Sequence, residues 1–281
     1  MAWRGPHFNR AHWWIVAACT MTGAARAQPC PEARTPRLVA IGGLYAGLEV
    51  GAMVLRHDDW WSTPRTGFYL SWDQSPSAGQ DRLLHAAIGY HWSRAGAAAF
   101  RWACLAPVPA AWLGAALGLA VALPKEIGDG LHQQKGFSAP DMLWSALGSA
   151  LPAAHRTWPA ARAVALKVNY WPSDEYRNRT GPQPQLESDY AGQRYFLAIA
   201  PAELRPEGPW PGWLGFAVGH SVPYWASQPP IHQWYATLDL NLRRLPIRSA
   251  WWRQVAWVLD QIHFPAPGVR LRGGALQPGF F

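Results

Sequence analysis

The sequence lacks the short motifs that identify the commonest enzyme sites. It has no glycine-rich loop of the kind that cradles phosphate groups, and no Gly-x-Ser-x-Gly turn that would present a nucleophilic serine. Only 3 of its 281 residues are cysteine, so it holds no cysteine cluster for a structural metal. These absences exclude nucleotide-binding proteins built on a phosphate loop, serine hydrolases of the elbow type and zinc modules ligated by cysteine.

Charge is also scarce. Charged residues make up 15% of the chain, and most of its 25 basic residues are arginine. The formal net charge is nevertheless +8, but the arginines are scattered and no nucleic-acid motif accompanies them. Together with 19 tryptophans, this charge favours a membrane surface, where headgroups are anionic and indole rings are stable. We therefore expect membrane lipids, and no nucleic acid, as partners.

Residues 1–27 have the features of a secretory signal peptide. Arg4 and Arg10 flank the start of an apolar stretch, and Ala25-Arg26-Ala27 resembles a signal-peptidase site. Val16-Ala17-Ala18-Cys19 offers an alternative, in which Cys19 carries a lipid and the protein is a lipoprotein. Either route predicts a bacterial cell-envelope protein exposed to the periplasm, attached to the inner or the outer membrane.

Cleavage after Ala27 would leave two cysteines, Cys30 and Cys104. One pair is possible, but Cys104 falls within an apolar helical stretch, so we expect no disulfide framework.

Two apolar segments are long enough to suggest transmembrane helices. Residues 38–55 carry a single charge, Glu49, and residues 105–123 carry none. Gly43, Gly47 and Gly51 recur every four residues, a spacing that lets helices approach closely. A tightly packed soluble bundle is the alternative interpretation of both segments.

The periodicity predicts an α+β fold. Its first part is a bundle of about four apolar helices, embedded in a membrane, near residues 38–55, 80–103, 105–129 and 138–151. After Pro152 the period shifts towards two, which indicates a small antiparallel β region with one helix at 251–262. We therefore divide the mature chain into a helical bundle at 28–155 and a mainly β region at 156–281.

Ionisable side chains gather where these helices begin or end. Asp81 and His85 are four residues apart and Glu126 and Asp129 three apart, so each pair shares a helical face. Short connections make the helices antiparallel neighbours, which brings these ends together. The predicted catalytic residues, which would also be the ligands of any divalent cation, are Asp81, His85, Glu126, Asp129 and Asp141, with Arg82 and Lys125 as charge partners.

Each of these residues also has a structural interpretation. Asp81 suits a helix start, Asp141 follows the good N-cap Ser138, and Lys125 suits a helix end. A functional cluster is nevertheless favoured, because charges near hydrocarbon must pair, bind a ligand or change their protonation. Six ionisable residues are predicted to meet at one end of the apolar bundle: Asp81, His85, Lys125, Glu126, Asp129 and Asp141.

The order of several weak motifs resembles a known family. The motifs are Asp81-Arg82 with His85, Glu126 with Asp129, Gly136-Phe137-Ser138 with Asp141, and the segment Asp189 to Tyr195 followed by a strand at 213–219. In this order they are similar to the YfiM-like envelope proteins, a family of unknown function with a distant likeness to VanZ-like membrane proteins. Arg82 stands where that family usually has lysine. The resemblance implies an envelope location, often as a lipoprotein, and implies no reaction.

Three classes of function are compatible with the sequence. The cluster could serve an enzyme of envelope lipids or lipid-linked glycans, with His85 and an acid as base and acid or with a bound divalent cation. It could instead stabilise a non-catalytic structural or assembly protein. The third class is a protein that handles or transports lipid along a groove between helices.

Overall fold

The computed structural model describes residues 30–72, 77–178, 188–224 and 229–281. The predicted signal peptide and Cys19 lie outside the described residues. Helices lie at α1 Cys30–Trp60, α2 Gln80–Trp102, α3 Pro107–Gly130, α4 Ala139–Thr157, α5 Asp174–Asn178, α6 Pro201–Leu204 and α7 Ala250–Leu259. Strands lie at β1 Leu70–Ser71, β2 Phe137–Ser138, β3 Val164–Tyr170, β4 Gln193–Ile199, β5 Leu214–Tyr224, β6 Ile231–Leu240, β7 Pro267–Arg272 and β8 Ala275–Phe280.

The chain is α+β, but the predicted bundle of about four apolar helices followed by a small β region is wrong. Among the described helices only α1 and α3 are long and apolar enough to cross a membrane, as judged by length and composition. The helices α2 and α4 instead pack through buried polar residues such as Ser93 and Ser145. The sheet has six strands, and α5, α6 and α7 accompany it where one helix was expected.

Helices α2, α3 and α4 pack closely because glycines remove side chains from their contacts. A Cβ on Gly114 would lie 2.5 Å from the carbonyl oxygen of Ser93, and one on Gly118 would lie 2.5 Å from that of Gly89. Both positions are on α3 and both carbonyls are on α2, so the two backbones meet directly. Gly114 and Gly118 are four residues apart, so both lie on the face of α3 that contacts α2.

Helix α1 is attached to this group without being buried in it. None of its most apolar 18-residue window is buried, and a Cβ on Gly43, Gly47 or Gly51 would meet no atom within 4 Å. Its N-terminal end is fixed by a disulfide between Cys30 and Cys104. Hydropathy predicted an apolar helix here, but it carries no information on which neighbour would cover it.

The disulfide corrects a second expectation. Cys104 lies in the turn between α2 and α3, with a positive φ of 64°, and not inside a helix. This position lets its side chain reach Cys30. Disulfides persist in oxidising compartments, so the bond fits a periplasmic location.

The six strands β3 to β8 form an antiparallel sheet in sequence order. On one face of the sheet, Phe281 packs against Phe196, Ala198, Ala217 and Tyr235. We call this face the inner face. The opposite, outer face meets the helices along β3 and β4. There, an apolar cavity of about 180 Å³ lies between Leu83 and Trp144 of the helices and Leu166 and Leu197 of the strands.

Candidate functional site

Three helices bring a histidine and two carboxylates together at one end of the helical layer. His85 lies in the second turn of α2, Glu126 near the end of α3 and Asp141 in the first turn of α4. The His85 Nε2 atom is 3.6 Å from Glu126 Oε1. One ligand atom from each of the three residues lies within 4.8 Å of the other two. The predicted convergence of these three residues is therefore present.

The start of α4 positions Asp141 and also binds Glu126. Ser138 is the N-cap, and its hydroxyl accepts a hydrogen bond of 3.2 Å from the backbone N–H of Asp141. The backbone N–H of Ser138 donates to Glu126 Oε2 at 3.1 Å. One Glu126 oxygen is thus held by the α4 start, and the other faces His85.

Ser145 orients the His85 ring. It lies one turn after Asp141 on the same face of α4, and its hydroxyl oxygen is 3.1 Å from His85 Nδ1. When Nδ1 carries the proton and donates it to Ser145, Nε2 keeps its lone pair and faces Glu126. This is the tautomer that a metal ligand or a general base requires.

Lys125 and Asp129 border this trio. The Lys125 ammonium is 2.7 Å from Asp129 Oδ2 and 3.5 Å from Glu126 Oε1. Trp61, in the segment that follows α1, donates from its indole N–H to Asp129 Oδ1 at 2.9 Å. Each carboxylate oxygen of Asp129 therefore has a donor. The Lys125 ammonium is held between Asp129 and Glu126. We call His85, Lys125, Glu126, Asp129 and Asp141 the His85 cluster.

Burial governs protonation in this cluster. Burial raises the pKa of Glu126 to about 7, with Asp129 and Asp141 adding to the rise and Lys125 opposing it. Burial also lowers the pKa of His85, against the attraction of Asp141. Burial disfavours the charge of Lys125 too, but Asp129 and Glu126 outweigh it and raise the pKa of that ammonium. Near neutral pH, His85 is thus neutral and Glu126 gains or loses a proton readily.

Two predicted residues, Asp81 and Arg82, lie outside the His85 cluster. Asp81 accepts hydrogen bonds from the Ser77 hydroxyl and from the backbone N–H of Arg82, so its carboxylate stabilises the start of α2. Arg82 makes no ion pair with an acidic residue in the described ranges. The structural interpretation of Asp81 is therefore the one supported by its contacts.

Sequence reasoning missed Ser145 and Trp61. Ser145 had a signal, because it stands four residues after Asp141 on a helix. Trp61 had none, since it is 68 positions away from the Asp129 that it binds.

A second buried group of the same residue types lies under the inner face of the sheet. Lys167 is 2.8 Å from Asp239 Oδ2 and 3.2 Å from Asp260 Oδ1. His263, with no exposed surface, faces Asp239 through Nδ1 and the carbonyl oxygen of Phe281 through Nε2. Each ring nitrogen of His263 therefore lies within hydrogen-bond distance of an oxygen, and every member of this group contacts another member. We call these four residues (Lys167, Asp239, Asp260 and His263) the Lys167 network.

The His85 cluster differs in having carboxylates in excess. Asp129 and Lys125 satisfy one another, which leaves Glu126, Asp141 and a neutral imidazole around a common point. One nitrogen and two carboxylate oxygens form a ligand set that Mn²⁺, Zn²⁺ or Fe²⁺ accepts, with further positions open to water or substrate.

Residues 70–157 match a family model described as a predicted periplasmic lipoprotein (DUF2279). This part of the chain resembles an uncharacterised family of envelope lipoproteins. The matched segment runs from β1 to the end of α4 and contains every member of the His85 cluster, but it covers less than half of the chain. The match supports the predicted envelope location facing the periplasm. No curated protein and no solved structure matches the chain.

Proposed function

We propose that this chain is a periplasm-facing envelope protein in which His85, Glu126 and Asp141 bind a divalent cation for a reaction on an envelope lipid or lipid-linked glycan. The observation that carries the proposal is the convergence of the three ligand atoms within 4.8 Å. We also propose that a lipid on Cys19 attaches the protein to the membrane. We further propose that the chain is related to the YfiM-like proteins and, more distantly, to the VanZ-like proteins.

Each residue has a distinct part in this proposal. His85 offers the Nε2 lone pair because Ser145 occupies Nδ1, and Glu126 offers the oxygen that faces His85. Asp141 supplies the second carboxylate. A bound cation would polarise a phosphoryl or acyl oxygen of the substrate. The Lys125 ammonium, 3.5 Å from Glu126, would lie beside the negative charge that develops on that oxygen.

The test is cation binding by the purified full chain, measured by isothermal titration with Mn²⁺ and with Zn²⁺. We expect one site per chain, and an affinity at least about tenfold lower in His85→Ala and in Glu126→Gln, since each removes one of three ligands. His57→Ala is the matched control, because His57 also lies beside an acid, Asp58, but on the exposed end of α1. A wild-type chain that binds neither cation, or variants that bind normally, would contradict the cation site.

The reaction needs its own measurement. Wild-type protein and the same variants are incubated with an envelope lipid extract, and products are followed by mass spectrometry. Conversion by wild type and His57→Ala, with loss in His85→Ala, supports an enzyme.

The structural alternative has its own observation, the contact from Ser138 to Glu126 that connects α3 to α4. It predicts that His85→Ala and Glu126→Gln unfold at lower temperature without any change in cation binding.

A further inference from the structure

The outer face of the sheet has an apolar row that crosses all six strands. Paired positions form one continuous row: Leu166, Leu197, Val218, Ala236, Val269 and Pro278. The exposed fractions are 40% for Leu197, 49% for Val218 and 41% for Val269. The next row contains the paired Trp234 and Leu271, which are 52% and 40% exposed, and also Tyr195 and His220.

The inner face, by contrast, buries polar side chains. Ser221, Tyr235 and Gln233 form a chain of hydrogen bonds there, and Thr237 donates to the carbonyl of Ala266. The Lys167 network lies on the same face. From Gln233 to Leu240 of β6 the polar residues and Tyr235 therefore point inward and the apolar residues outward, whereas His232 at the start of the strand points outward.

This distribution of polar and apolar residues is the reverse of the one found in a sheet with one face in water. An antiparallel sheet with one face in water buries its apolar residues and exposes its polar residues. Strands that face hydrocarbon show the opposite alternation, with apolar residues outward and polar residues inside. Large exposed apolar patches mark surfaces that bind a partner or a membrane.

The apolar surface continues from the sheet onto α4. Leu143 and Leu147 of α4 are 59% and 56% exposed. Leu147 lines the cavity that Leu197 lines from the sheet, so the two apolar surfaces meet there. The patch thus spans two layers of the fold, and both layers present aliphatic side chains.

Exposed tryptophans lie at both ends of the apolar rows. Trp171 directly follows β3 and is 65% exposed, and Trp213 directly precedes β5 at the other end of the strands and is 38% exposed. Indole rings concentrate at the boundary between hydrocarbon and water. An apolar band bordered by tryptophan at each end matches a lipid environment better than it matches the surface of a second protein.

We propose that the outer face of the sheet, continued by the exposed side of α4, lies against the hydrocarbon of a membrane. This inference does not depend on the His85 cluster or on its reaction.

The test exploits the alternation along β7. Val269 and Leu271 belong to the outer face, whereas Arg270 and Arg272 point to the other side and are the matched controls. Each is replaced by cysteine in a full-length Cys19→Ser chain, without reductant, so that the bond between Cys30 and Cys104 stays closed. A bimane label is attached and the protein is reconstituted into vesicles of phosphatidylethanolamine and phosphatidylglycerol that contain doxyl-labelled acyl chains.

We expect loss of emission at 269 and 271, little loss at 270 and 272, and the inverse order with aqueous iodide. Equal quenching at all four positions would overturn the proposal. Protection of 269 and 271 from both quenchers would overturn it too, because it would mean that a protein, such as a second copy of the chain, covers this face.

A second experiment tests the proposal without reconstitution into vesicles. Val218→Glu places a charge on a side chain that is already half exposed, so it should fold. It should increase the fraction of protein that remains soluble without detergent. Leu204→Glu, at an exposed leucine of α6 that is not part of the sheet strands, should not. Equal solubility of the two variants would count against the proposal.

Discussion

The protein buries two groups of lysine, histidine and carboxylate side chains, the His85 cluster at the helix ends and the Lys167 network under the sheet. In the Lys167 network one ammonium contacts both carboxylates, Asp239 and Asp260, and the side chain of Lys167 is only 2% exposed. In the His85 cluster the Lys125 side chain is 34% exposed, and the carboxylates outnumber the cations. The comparison teaches that burial of charge alone does not identify a functional site. Ligand atoms that converge on a common point, as those of His85, Glu126 and Asp141 do, indicate one.

The largest expected effect separates the two groups by stability. Lys167→Met strands Asp239 and Asp260 without a cation, so it should lower the free energy of unfolding by about 3–5 kcal/mol. Lys125→Met should cost on the order of 1 kcal/mol, because solvent screens a partly exposed pair. Denaturant unfolding of both variants measures the difference. Equal costs would abolish the distinction between a structural network and a site.

The second effect tests whether Glu126 destabilises the protein when it ionises. Its pKa in the fold is about 7, above the value near 4.3 of an unfolded chain. The stability that this group contributes is therefore complete below about pH 4 and is lost as pH rises towards 7, by roughly 3 kcal/mol in total.

Glu126→Gln should remove that loss. In the absence of added cation, the variant should be more stable than wild type at pH 8 and equally stable at pH 4. The measurement is denaturant unfolding at both values, with Glu203→Gln on the sheet side as control. Parallel profiles of unfolding free energy against pH for wild type and Glu126→Gln would show that ionisation of Glu126 does not destabilise the fold.

The third effect is a pH dependence of cation affinity. Near neutral pH a cation competes with the proton of Glu126, whereas burial lowers the pKa of His85 and keeps that ring neutral. Below pH 7 the affinity of wild type for Mn²⁺ should fall about tenfold for each pH unit, as expected for one competing proton, and it should level off above pH 7. Titrations between pH 5.5 and 8 measure the slope; a flat profile would argue against Glu126 as a ligand.

The smallest effect distinguishes a neighbour from a ligand. Asp81→Ala removes the acceptor at the start of α2 and should cost about 1 kcal/mol of unfolding free energy. Cation affinity should stay at the wild-type value, since Asp81 is not one of the three converging residues. A loss of cation binding would return Asp81 to the site.

Local spacing predicted much of the His85 cluster. The three-residue step from Glu126 to Asp129 and the N-cap at Ser138 are properties of single helices, and short connections determine which ends meet. The Lys167 network has no such signal. Lys167, Asp239 and His263 are far apart in the sequence, and only the sheet register and the segment after α7 bring them together.

The sheet illustrates a different limit of sequence reasoning. The alternation along Trp234, Tyr235, Ala236 and Thr237 identifies a strand, because side chains alternate between faces. It does not reveal which face is buried. Here the tyrosine and threonine are inside, which requires knowledge of the hydrogen-bond partners that other segments supply.

The bond between Cys30 and Cys104 closes residues 30–104 into a covalent ring. The ring contains α1, the connecting segment with Trp61 and the helix that carries His85. A protease that cuts once in the segment between α1 and α2 would open the backbone without releasing either piece. Such a nicked protein would migrate as one band on a gel without reductant and as two bands with it. Trp61 and His85 would remain covalently connected through α1, the disulfide and α2.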